Sequence, residues 1–216
     1  MNLNTKKNDK LIGYNDLFNH FVKLIDQKRL PSKIIISGNK GIGKSTFAYH
    51  FVNYIFSKNE KYPYKITENQ IDTNNRSFNF VINNSHPNFF LIDLKDEKKN
   101  IEISQIREMI HFTNKSSFNN KSKFILIDDI EFLNISSVNA LLKSIEEPND
   151  DCYFILINNS EKKLLKTLKS RCIEFKVQLK ANFYKDIVNL NYGTDIYDSV
   201  TNDLKFSYLS PSVLIN

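Results

Sequence analysis

At 216 residues, 41% of them hydrophobic and 25% charged, the chain can bury one large core, alone or with a small appendage, and is not expected to be disordered. Its net charge of +6 permits an anionic partner, but lysine enrichment alone accounts for it: among 30 basic residues only Arg29, Arg76, Arg107 and Arg171 are arginine. Two cysteines exclude a disulfide framework and a four-thiolate zinc site, while the lack of a signal-like start or a run of about 20 apolar residues points to a cytosolic chain that does not meet a membrane.

Helical and strand-like patterns alternate from the start. A helix is expected over about 14–28, then a nearly all-apolar strand, "KIIIS", at 33–37. Directly after it comes "GNKGIGKS", which has the spacing G-x-x-x-x-G-K-S from Gly38 to Ser45. Glycines at 38, 41 and 43 let the backbone turn tightly enough for successive N–H groups to face one anion. A helix over 45–57 follows, with Phe47, Ala48, Phe51, Val52, Ile55 and Phe56 on one face, and its N-terminus adds a favourable dipole. Lys44 would reach the β- and γ-phosphates of a nucleotide, and the Ser45 hydroxyl would hold Mg²⁺. The whole loop, Gly38, Asn39, Lys40, Gly41, Ile42, Gly43, Lys44, Ser45 and Thr46, is the candidate phosphate site.

Residues 58–86 are polar and rich in Asn with no clear period, and are expected to form an excursion or loop. A strand (89–94), a helix (102–113) and an exposed turn (114–123) come next. The strand "FILID" at 124–128 ends in Asp128 and Asp129. At such a strand end a carboxylate lies beside the phosphates, so Asp128 is the candidate to hold Mg²⁺ through water, and Asp129 the candidate to polarise an attacking water. A helix over 136–147 packs through Val138, Leu141, Leu142 and Ile145 and stops at Pro148. The strand 153–158 ends in the pair Asn158-Asn159, where an amide can contact the γ-phosphate or the water. A helix over 161–169, Arg171 and a strand over 172–177 complete the alternation, and only weak helical patterns follow 179. Alternating strands and helices define an α/β fold with a parallel sheet.

Taken jointly, "GNKGIGKST", "FILIDDIEFLNISSVNALLKSIEEP" and "YFILINNSEKKLLKTLKSRC" resemble the clamp-loader AAA+ subunits of bacterial DNA polymerase III, of the delta-prime type, over about residues 11–178. The resemblance implies a P-loop NTPase (AAA+) core over 1–178, with a five-stranded parallel sheet flanked by helices. It also implies a short, incomplete helical lid over 179–216 without the collar domain of full-length members. ATP and Mg²⁺ are the implied cofactors. The implied partners are the other clamp-loader subunits, the sliding clamp and, through the assembly, primer–template DNA.

Asn158 falls at the family's first sensor position, and Asn139 on the helix that links DNA contact to the acidic strand end. Arg171, in S-R-C, matches an arginine that reaches the ATP of a neighbouring subunit. Two departures matter. The cysteines of the family's zinc module have no counterpart in residues 58–86, so no zinc is expected. Asp129 stands where motor subunits carry Glu, which puts hydrolysis by this chain in question and leaves open a non-hydrolysing structural subunit with a vestigial site. An unrelated P-loop kinase is the remaining alternative, and it gives S-R-C no task.

Overall fold

The computed structural model describes residues 5–95, 98–146, 151–161, 163–180 and 182–192. In chain order these form α1 (Asn15–Asp26), β1 (Lys33–Ser37), α2 (Lys44–Ser57), α3 (Arg76–Ile82), β2 (Phe89–Ile92), α4 (Ile103–Asn114), β3 (Lys123–Ile127), α5 (Ile135–Glu146), β4 (Cys152–Asn158), α6 (Lys166–Lys169), β5 (Ile173–Lys176) and α7 (Asn182–Tyr192). The five strands make one parallel sheet in the order β2-β3-β4-β1-β5.

The nearly continuous apolar strands follow from burial on both faces. Along β1, Ile34 and Ile36 enter one core and Ile35 the other; along β4, Ile155 and Ile157 oppose Phe154 and Leu156 in the same way. The first core is packed by α1, α2 and α3 through Phe18, Phe21, Phe47, Phe51 and Phe78. The second is packed by α4, α5 and α6 through Ile106, Met109, Leu141, Ile145 and Leu168. No described helix is long and apolar enough to cross a membrane.

Residues 58–86 depart from the expected loop because α3 forms within them. Its first turn is capped from two directions: the Asn75 side chain accepts from the Phe78 N–H at 2.6 Å, and the Glu60 carboxylate accepts from the N–H groups of Arg76 and Ser77. Phe78 and Val81 then bury against the first core. A buried His50 ties the rest of this segment down, contacting the Tyr64 hydroxyl through Nδ1 and the Asn8 carbonyl through Nε2, both at 3.0 Å. A carbonyl can only accept, so Nε2 carries the proton and Nδ1 accepts from Tyr64. Burial pushes the His50 pKa down to about 4, which keeps the ring neutral near pH 7.

The expected helix over 161–169 is confined to α6. Ser160 has φ +61°, the Glu161 N–H and carboxylate are taken by Glu131 and Lys40, and Leu165, the N-cap of α6, is extended. Within the segment that follows 179, α7 begins at Asn182, and its Phe183, Tyr184 and Ile187 pack on the first core. Residues 193–216 lie outside the described residues.

Candidate functional site

The glycine-rich loop leaves the C-terminal end of β1, between β4 and β5. Gly38 donates its N–H to the Asn158 carbonyl at 3.2 Å, and a Cβ at Gly38 would sit 2.4 Å from the Val177 carbonyl oxygen. The loop start is therefore wedged where a side chain cannot fit. Gly41 and Gly43 have φ of +78° and +92°, a region that costs glycine little. Gly43 is the N-cap of α2, so the unpaired N–H groups of the first turn face the loop. From beneath, the buried Tyr14 hydroxyl donates to the Ile42 carbonyl at 2.8 Å. This fixes the loop to α1.

Lys44 is 2% exposed, and its ammonium donates to the carbonyls of Gly38 (2.9 Å) and Asn39. Burial lowers its pKa to about 8, opposed by the charges of Asp128, Glu131, Asp129 and Glu161. The charges of four carboxylates thus act on the loop lysine. Ser45 Oγ donates to Asp128 Oδ2 at 2.6 Å, joining the first turn of α2 to the end of β3. This is the pairing the two motifs require, and it brings together the two side chains expected to hold Mg²⁺.

Asp128 is unusual in charge. Burial raises its pKa to about 6 from 3.8, partly opposed by the Ser45 hydrogen bond, with Asp129 adding to the rise. A carboxyl with a raised pKa stabilises the fold in its protonated form: the contribution is present below pH 3.8 and lost as the pH rises through about 6. Asp128→Asn is therefore expected to be more stable than the wild type above pH 6, by on the order of 1–3 kcal/mol, and equal to it in acid. Urea unfolding across this pH range checks the sign; a difference that does not widen with pH would contradict it.

Asp129 occupies the left-handed region (φ +54°) at the N-cap of a short 3-10 turn, Ile130–Phe132. Its Oδ1 accepts from Asn159 Nδ2 at 2.5 Å. Of the Asn158-Asn159 pair, the second side chain therefore meets the acidic strand end. Asn158, the expected sensor, is buried; its Oδ1 accepts from the Ser160 N–H at 3.0 Å and its carbonyl serves Gly38.

Glu131 was not expected in this neighbourhood. Its carboxylate accepts from the N–H groups of Asn159 (2.9 Å) and Glu161 (3.4 Å), and burial raises its pKa against those bonds. Lys40 closes the circle, 2.9 Å from Glu161 on the surface. The "DDIE" spelling contains Glu131, but only folding brings it to residue 159. Arg171 lies apart from this group, in the turn between α6 and β5, paired with Glu146. Asn139 is exposed on α5.

The phosphate-type loop, the Ser45–Asp128 contact and the sheet order define a P-loop ATPase fold of the AAA+ class. A DNA polymerase III gamma subunit-related protein from Thermotoga maritima shares this fold: TM-score 0.55 and 20% identity over 87% of this chain and 52% of that one. The RuvB Holliday junction branch migration motor of Thermotoga maritima does so at TM-score 0.51 and 16% identity, over 86% of this chain and 53% of that one.

The family is narrower than the fold. The sequence model described as DNA polymerase III, delta subunit, matches residues 13–181, and the chain belongs to that family. It is 28% identical over 140 residues to the DNA polymerase III subunit delta' of Pseudomonas aeruginosa, covering 65% of this chain and 41% of that protein. With subunit delta' of Buchnera aphidicola (subsp. Schizaphis graminum) it shares 25% over 185 residues, 86% of this chain and 54% of the relative. With the gamma subunit of the same organism it shares 39% over 106 residues, 46% and 28% of the respective lengths. The chain thus spans between about a quarter and a little over half of these relatives.

Proposed function

We propose that this chain is an accessory, ATPase-type subunit of a DNA polymerase III clamp loader. It binds ATP with Mg²⁺ at residues 38–46 and lends Arg171 to the nucleotide of a neighbouring subunit during ATP-driven loading of the sliding clamp on primed DNA. The observation that carries the nucleotide reading is the 2.6 Å contact between Ser45 and Asp128 beside a glycine-rich loop. A hydroxyl and one carboxylate fit the way Mg²⁺ is held with substrate phosphates, where the ion keeps several waters and needs no cage of protein ligands. When bound, Mg²⁺ would neutralise charge on the β- and γ-oxygens. This chain's own part is to present N–H groups from the loop, swing the Lys44 ammonium from loop carbonyls to phosphate oxygens, and hold Asp128 ionised once cations adjoin it.

Turnover by this chain is a separate matter. Asp129 is one methylene shorter than glutamate, and its Oδ1 is already bonded to Asn159. Binding with slow hydrolysis is the reading these contacts favour. A second reading, a structural subunit whose site no longer takes nucleotide, draws on the engagement of Lys44 by Gly38 and Asn39. Titrating the isolated chain with a fluorescent ATP analogue and Mg²⁺ separates them. Saturable binding that Lys44→Ala abolishes is expected; no binding at millimolar analogue would leave the structural reading.

A further inference from the structure

The Arg171 side chain is held at two points. Nε donates to Glu146 Oε1 at 2.7 Å, and Nη2 lies 2.6 Å from the same oxygen. Nη1 donates to the Thr167 carbonyl at 2.9 Å. Both holders belong to packed elements. Glu146 ends α5, anchored in the second core through Leu141 and Ile145, and Thr167 lies in α6, anchored through Leu168.

A guanidinium has five N–H groups in a fixed plane. Two are used by the hydrogen bonds from Nε and Nη1, and the ion pair turns Nη2 toward the Glu146 carboxylate, which leaves N–H groups on both terminal nitrogens for an outside acceptor. The pair is half-exposed, at 39% for Arg171 and 47% for Glu146, and such pairs add little to stability. What two fixed acceptors do accomplish is to set the plane and direction of the guanidinium before any partner arrives. An arginine free to sample its rotamers would lose that freedom on meeting a phosphate; one already held loses less.

We propose that Glu146 is a positioning residue for Arg171: with the Thr167 carbonyl it presets the arginine fork so that its remaining terminal N–H groups meet a phosphate brought by an adjacent subunit. This rests on the reading of Arg171 as an arginine supplied in trans. Glu146 touches no nucleotide itself. Its carboxylate also keeps positive charge on the guanidinium partly balanced until a more highly charged phosphate competes for it.

The test is the DNA-stimulated ATPase of the full assembly, reconstituted with Glu146→Ala, Glu146→Gln, Arg171→Ala or the double alanine variant of this chain. Glu146→Ala is expected to lower kcat roughly ten- to a hundredfold, the scale of a misplaced catalytic group, with KM for ATP unchanged. Glu146→Gln, whose amide oxygen still accepts from Nε, should recover most of the rate. The double variant should be no slower than Arg171→Ala alone.

A wild-type rate for Glu146→Ala overturns the proposal, and a faster rate would show that Glu146 withholds the arginine instead. A Glu146→Ala loss that persists in the Arg171→Ala background also overturns it, because the effect then bypasses the arginine. If Arg171→Ala is severe while Glu146→Ala is silent, only the positioning role fails. If Arg171→Ala is itself silent, the trans-arginine reading fails and this inference with it.

Discussion

Alanine at position 171 is expected to lower the DNA-stimulated ATPase of the reconstituted clamp loader by about 10³-fold or more, with the assembly retained. The loss is large because the guanidinium would sit where negative charge develops on a transferring phosphoryl group, in a site closed to water, where a fixed cation acts at low dielectric. Arg171→Lys is expected to recover little. An ammonium is a point charge that cannot fork across two oxygens while it remains bonded to Glu146 and the Thr167 carbonyl. Phosphate release measured with primed DNA and clamp, beside a sizing profile of each assembly, separates a chemical loss from failed assembly. An unchanged rate would remove the arginine from the mechanism.

Phe21→Ala carries the largest expected effect on the fold itself. Phe21 is fully buried, with ring centroids 5.1 Å from Phe47, 5.3 Å from Phe51 and 4.9 Å from Phe175. With Phe18, which also meets Phe47 and Phe51, it joins α1 to α2, and it reaches β5 as well. Deleting such a ring costs about 3–5 kcal/mol, because the neighbours belong to a helix and a sheet strand that are each fixed elsewhere and cannot both close on the space. Typical domains have only about 5–15 kcal/mol in total. The urea midpoint should therefore fall sharply with an unchanged slope, while Phe21→Leu should cost much less. A change below about 1 kcal/mol would mean that the aromatic cluster collapses freely into the gap.

The parts that were legible in the sequence are those set by local rules. Strands β1, β3 and β4 are nearly unbroken apolar runs because both of their faces are buried, and the loop at 38–45 requires glycine for reasons that lie in its own backbone. Asp128 is legible for the same reason, since it ends a run that can only be a buried strand. The illegible parts depend on contacts between distant segments. Helix α3 is too short to show a period, and it owes its first turn to Glu60 and Asn75. The helical pattern that begins at Glu161 is overridden there, where Glu131 takes its N–H and Lys40 its carboxylate. Which member of the Asn158-Asn159 pair faces Asp129 depends on where β4 ends, and one residue of register reverses the answer. Glu131 and Glu146 read as surface charges until α5 and the turns after β4 and α6 are in place.

The sheet order has a consequence for the timing of synthesis. β1 leaves the ribosome before the other described strands, yet its neighbours on either side, β4 and β5, are the last two of those described. The loop that follows β1 is held by the Asn158 carbonyl and abuts the Val177 carbonyl, groups made well over a hundred residues later. Parallel pairing across such separations cannot begin until the late strands exist. The segment "GNKGIGKS" is thus translated well before the groups that shape it, so a nascent chain arrested before residue 152 would carry the glycine-rich motif without the fold that holds it.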